Sequence, residues 1–141
     1  MIDSNNNLTN FEKDDSDNNY YLSNDITKET KLTKDGNNIF IENKTSKMTF
    51  SYVNIGNSKA YFLKEIKSLV NDDKITIHYL EDNKTFIDGI GDNKGNVMFF
   101  YYDINNMLEE ININNKISIF YFYDSNNNLI KITRNNALFA S

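Results

Sequence analysis

The chain contains no cysteine, no proline and no tryptophan, and it has a single histidine. Without cysteine there is no disulfide, no thiolate zinc site and no cysteine nucleophile. One histidine excludes a metal centre built from several imidazoles. The net charge of −5 argues against nucleic acid as a partner, because phosphate binding requires concentrated lysine and arginine. A charge of that sign also disfavours adhesion to an anionic membrane surface. No apolar run approaches the roughly 20 residues of a membrane span. Residues 1–10 are polar and lack the charged-then-apolar order of a signal peptide. The chain is therefore cytosolic or a piece of a longer exported protein, and no cofactor is expected.

Phenylalanine and tyrosine supply the whole aromatic content of 13% and much of the burial open to 141 residues. Their distribution divides the chain at about residue 36. Residues 1–36 are dense in Asn, Asp, Lys and Thr, with scattered apolar side chains only, and read as a weakly ordered polar segment. A short helix over 24–32 is open, although it has no apolar face. Residues 37–141 read as a β-hairpin domain. Runs rich in β-branched and aromatic residues fall at 38–42, 47–53, 60–68, 74–80, 85–90, 96–103, 108–113, 116–123 and 129–133. Several alternate with period two: Ile75, Ile77 and Tyr79 share one face, as do Ile117, Ile119, Tyr121 and Tyr123. Val97 to Tyr102 is apolar on both faces and is expected to be a central strand buried on both sides. The run at 60–70 also fits a short amphipathic helix, and strand at 61–67 is the favoured reading.

Turn chemistry separates the runs. Asn114-Asn115 and Asn71-Asp72-Asp73 suit tight turns because Asn tolerates positive φ, and Asp92-Asn93-Lys94-Gly95-Asn96 puts Gly at a left-handed position. The expected fold is all-β: an antiparallel meander of consecutive hairpins behind a loose N-terminal segment.

An internal repeat runs through this pattern. Tyr102-Asp103-Ile104-Asn105-Asn106-Met107-Leu108 matches Tyr123-Asp124-Ser125-Asn126-Asn127-Asn128-Leu129 at an offset of 21 residues. An aromatic strand precedes each copy and a β-branched run follows it. Similar signatures stand at Asp3-Ser4-Asn5-Asn6-Asn7-Leu8 and, degenerate, at Tyr79-Leu80-Glu81-Asp82-Asn83. In this unit Tyr ends a strand and packs on its neighbour. The Asp accepts backbone N–H groups two or three residues on, the Asn pair supplies the left-handed turn, and Leu points at the core. A lone hairpin cannot bury its apolar face, so neighbours are needed.

These residues resemble the YD repeats of the RHS and wall-associated proteins: Tyr-Asp, a short Asn/Gly turn, then Leu. Tyr102, Asp103, Leu108, Tyr123, Asp124 and Leu129 carry the resemblance, with Asp92 to Val97 similar to the turn between units. Asn replaces the usual turn Gly in both copies. The resemblance implies a spiralling, twisted sheet. It implies a role as shell or cell-surface scaffold, with adjoining β repeats or another protein chain as partner and polysaccharide as a further candidate ligand.

Other candidate chemistry is sparse. His78 alternates with Ile77 and Tyr79 in a strand and has no obvious Ser or Asp partner. Glu109 and Glu110, adjacent in a strand, are expected on opposite sides. Asp15-Ser16-Asp17-Asn18-Asn19 resembles half a calcium loop without its Gly and bidentate Glu. Gly89 and Gly91 suit a bulge better than a phosphate loop. Tyr101, Tyr102, Tyr121 and Tyr123 form either a cross-strand ladder or a sugar-stacking face. The expected function is thus non-catalytic: a structural repeat segment. The alternatives are a carbohydrate- or protein-binding module and a small intracellular immunity-type protein.

Overall fold

The structure is a computed structural model and describes residues 10–16, 19–22, 27–55, 58–81 and 85–136. Among these the chain forms twelve strands and no helix. They are β1 (Phe11–Lys13), β2 (Tyr20–Leu22), β3 (Lys31–Asp35), β4 (Asn38–Glu42), β5 (Ser46–Ile55) and β6 (Ser58–Ser68). There follow β7 (Lys74–Tyr79), β8 (Ile87–Asp92), β9 (Val97–Tyr102), β10 (Leu108–Ile113), β11 (Ile117–Tyr123) and β12 (Leu129–Asn136). The chain divides into two compact units, Met1–Lys74 and Ile75–Ser141. No helix among the described residues is long and apolar enough to cross a membrane.

In the first unit β1 to β6 pair in chain order, each antiparallel to the next. One transverse row links Tyr20, Leu32, Ile41, Met48 and Ile66. Ile41, at the centre of that row, is 8% exposed and is the only buried hydrophobic residue among those described. Residues 61–67 are strand, as favoured: they lie in β6, which forms a long hairpin with β5, while Leu69 and Val70 stand in the turn that follows. Strands β1 to β3 lie within the segment expected to be loose, so β pairing starts well before Asn37. Lys31 and Leu32, at the end of the open helical stretch, belong to β3, while residues 24–26 lie outside the described residues.

In the second unit the ladder order is β7 to β12, again antiparallel throughout. Here the transverse row is Ile77, Ile90, Met98, Ile113 and Ile117. A parallel row joins Phe100, Ile111 and Ile119. We call this the aliphatic face. The opposite face carries His78, Gly89, Phe99, Asn112, Ser118 and Asn135 in one row, and Tyr101, Glu110, Phe120 and Thr133 in another.

That second face corrects one expectation. β9 is not buried on both sides: Phe99 is 37% and Tyr101 49% exposed. Their cross-strand neighbours explain it. Gly89 puts no side chain beside Phe99, and on β10 the partners of Phe99 and Tyr101 are the polar Asn112 and Glu110. An apolar pattern on two faces signals burial only where apolar partners stand opposite.

Candidate functional surface

Three turns of one design organise the second unit. Asp103 Oδ1 accepts the N–H groups of Asn105 and Met107 at 2.8 and 2.9 Å. Asp124 Oδ1 accepts those of Asn126 and Asn128 at 2.8 and 2.9 Å. Asp92 Oδ1 accepts those of Lys94 and Asn96 at 2.9 and 2.8 Å. Each loop is closed by an N–H from the Asp to the carbonyl four residues on: Met107, Asn128 and Asn96. The fourth residue of each is left-handed, with φ of 62° at Asn106, 63° at Asn127 and 89° at Gly95. The Asp therefore binds two and four residues ahead, not two and three. Only the second Asn of each pair supplies the positive φ, because one left-handed residue suffices to turn the carboxylate over both amides.

Asp92 and Asp124 are held below the usual carboxylate range, chiefly by the side-chain amides of Asn96 and Asn128, then by the turn N–H groups. The turn at Asn114-Asn115 differs: both residues are left-handed, at 54° and 55°, and Lys116 N–H donates to Ile113 C=O at 2.9 Å. Such a pair matches the twist of the flanking strands. Asn114 also reaches sideways, its Oδ1 accepting from Val97 N–H at 2.6 Å.

The repeat tyrosines interlock successive hairpins. Tyr102 Oη donates to the Ile87 carbonyl at 2.8 Å. Tyr123 Oη donates to the Leu108 carbonyl at 2.9 Å, across the same separation of 15 residues. The acceptors are equivalent positions. Ile87, Leu108 and Leu129 pair with Tyr79, Tyr102 and Tyr123 respectively. Each is followed by one bulge residue, Asp88, Glu109 or Ile130, where the register shifts. The Tyr102 ring also meets Phe86 edge-on, with centroids 4.9 Å apart. Burial, and then the charge of Asp88, raise the Tyr102 phenol above its ordinary pKa. One Asp88 carboxylate oxygen is buried and has no hydrogen-bond partner among the described residues.

The remaining sequence candidates take definite places. Leu108 is half-buried, but Leu129 is 50% exposed and does not point into a core, because β12 pairs on one side only among the described residues. The bulge at Glu109 interrupts the alternation that was to set Glu109 and Glu110 on opposite sides. Gly89 lies within β8 beside the bulge at Asp88. His78 is exposed opposite Gly89. Asp14, not Asp15, organises the acidic N-terminal turn. Lys28 pairs with it and the Ser16 hydroxyl and N–H donate to it, at 2.6 and 2.9 Å, and these bonds hold its carboxyl far below the usual range. Asp17 and Asn18 lie outside the described residues, as do Asp3 to Leu8 and Asp82 to Asn83. No group of three His, Cys, Asp or Glu side chains that could hold a metal ion occurs among the described residues.

Of the exposed aromatic set, sequence reasoning named Tyr101 and missed Phe99 and Phe122. Phe99, Tyr101 and Phe122, 37%, 49% and 43% exposed, stand on the face opposite the aliphatic rows. Lys131 lies 5.5 Å over the Phe122 ring, and in the row of Phe99 Asn112 donates to Ser118 Oγ at 3.1 Å. The tyrosines of the motif divide accordingly: Tyr102 and Tyr123 interlock hairpins, while Tyr101 faces solvent. Period-two alternation through 97–102 was the available signal. Compared with known proteins, the chain matches no family model and no curated protein.

Proposed function

We propose that the chain is a non-catalytic structural segment of YD-repeat type, whose hairpins serve as a scaffold that further β structure extends. The observation that carries this reading is the interlock. A tyrosine hydroxyl from each hairpin binds the backbone carbonyl that opens the returning strand of the hairpin before, twice, with acceptors 21 residues apart. Such a device couples neighbours rather than building a pocket. A scaffold of this kind is stabilised by nearest-neighbour contacts and leaves reactive edges at its ends. The full chain should therefore associate with increasing concentration in sedimentation experiments. A chain that stays monomeric at high concentration and unfolds in one cooperative step would overturn the reading.

A second reading is favoured by one observation of its own. Phe99, Tyr101 and Phe122 are exposed on one face, where the polar Asn112 and Glu110 stand opposite Phe99 and Tyr101. A polysaccharide strand stacks on such rings while polar neighbours orient its hydroxyls. Titration with soluble polysaccharides tests it. Binding lost on Tyr101→Ala supports the face as a platform, and no heat or fluorescence change with any glycan removes it.

A further inference from the structure

Resting on the scaffold reading, we propose that the outer edge of β12 receives one more antiparallel hairpin of the same chemistry: an aromatic strand ending in Tyr-Asp. Its tyrosine hydroxyl donates to the Leu129 carbonyl.

Position gives the first argument. The carbonyls of Ile87 and Leu108 each accept a tyrosine from the hairpin that follows. Leu129 stands a further 21 residues on. It shares with both the pairing to a repeat tyrosine across the hairpin and a bulge residue immediately after, and with Leu108 an Asp-led turn immediately before. The bulge matters because it breaks the regular ladder at the carbonyl the next tyrosine seeks.

Exposure gives the second. Leu108 and Ile111 are half-buried, and both lie on β10, which β11 flanks. Their equivalents one repeat later, Leu129 and Ile132, are 50% and 55% exposed, and Ile130 is 64% exposed. At Leu and Ile the repeat places the same apolar side chains, and a further hairpin covers only the first pair among the described residues; Ile130 takes the place of Glu109, which is exposed as well. Clustered apolar exposure along an edge strand that lacks proline marks a strand-addition site.

The occupant is fixed by the same geometry. It must pair antiparallel with β12, carry alternating apolar residues onto the aliphatic face, and present a tyrosine at the height of Leu129. The chain's own residues 116–136 have that composition and span one period.

The test inserts a second copy of residues 116–136 directly after Asn136 in the full chain, with a scrambled insert of equal length as control. Amide exchange is followed by NMR or mass spectrometry at concentrations where both proteins are monomeric. The β12 amides that point away from β11 should slow at least tenfold with the true copy and not with the scrambled one. Replacing the copied tyrosine by phenylalanine should return a several-fold part of that protection. Unchanged β12 exchange, or equal protection from the scrambled insert, overturns the proposal. Unaltered protection with the phenylalanine copy removes Leu129 as acceptor and overturns it as stated. The scaffold reading is read separately, from Tyr123→Phe in the original chain. Should that variant loosen the β10–β11 pair while the insert leaves β12 unprotected, the edge proposal alone falls.

Discussion

Tyr102 and Tyr123 each do two things that phenylalanine would do only by half. The ring fills space on the aliphatic face, and the hydroxyl reaches a backbone carbonyl one hairpin back. A net contribution of about 1 kcal/mol is ordinary for such a hydrogen bond. Tyr123→Phe should therefore lower the unfolding free energy by roughly that amount in urea denaturation, with Tyr121→Phe as a control. Tyr102 also predicts an alkaline limit. Its folded pKa is raised by burial and by Asp88, so the folded state favours the neutral phenol. That contribution is complete below the unfolded value of about 10 and is lost as pH rises through the folded pKa. Burial raises the Tyr79 phenol as well, so absorbance titration should show two phenols ionising late, and Tyr102→Phe should remove one of them. The acidic side is the mirror case. Asp92 and Asp124 have depressed folded pKa values. Their contribution is complete above the unfolded value of roughly 3.9 and fades as pH falls through the folded pKa. Asp124→Asn should keep the turn but flatten the loss of melting temperature below pH 4.

At the scale of the element, the hairpins follow from turn residues as much as from strand residues. Asn114 and Asn115 both sit at positive φ. A β-branched residue there meets the steric cost of the left-handed region, roughly 1–2 kcal/mol. Asn115→Val should cost about that in chemical denaturation, and Asn115→Gly close to nothing. Gly89 presents the opposite case. Its φ is ordinary, and a Cβ there would meet Phe99 Cδ1 at 3.7 Å with nothing closer. Gly89→Ala should thus raise stability by about 0.5–1 kcal/mol.

These cases also show what could be read from sequence. Strands β4 and β10 match the expected runs residue for residue, because β-branched and aromatic alternation bounded by Asn and Asp is a local signal. Strands β1 to β3 were invisible. Phe11-Glu12-Lys13 holds one apolar residue, and its strand character comes from pairing with Tyr20, Tyr21 and Leu22. The Asp-led turns were legible from composition. The acceptor of the tyrosine hydroxyl was not, because a carbonyl has no letter of its own and its place depends on a bulge. The exposed face of β9 escaped for a related reason: two-sided apolarity speaks of a strand, not of what lies opposite it.

At the scale of the whole chain, burial is thin. Ile41 alone among the described hydrophobic residues is buried, and most strand residues on both faces are half-covered. Heat capacity reports apolar surface removed from water. An ordinary domain of this length would unfold with a ΔCp of about 1.7–2.1 kcal/mol/K, from roughly 12–15 cal/mol/K per residue. Calorimetry on the full chain should give less, and a value at or above that range would contradict a sparsely buried fold. The interlock has one more consequence. Its donor is a particular side chain, but its acceptor is main chain, which every amino acid carries, and Ile87 and Leu108 already serve alike. Only one partner of each fastening is therefore exposed to mutation. Copies can diverge widely in wording and still mesh, provided one phenol arrives on schedule.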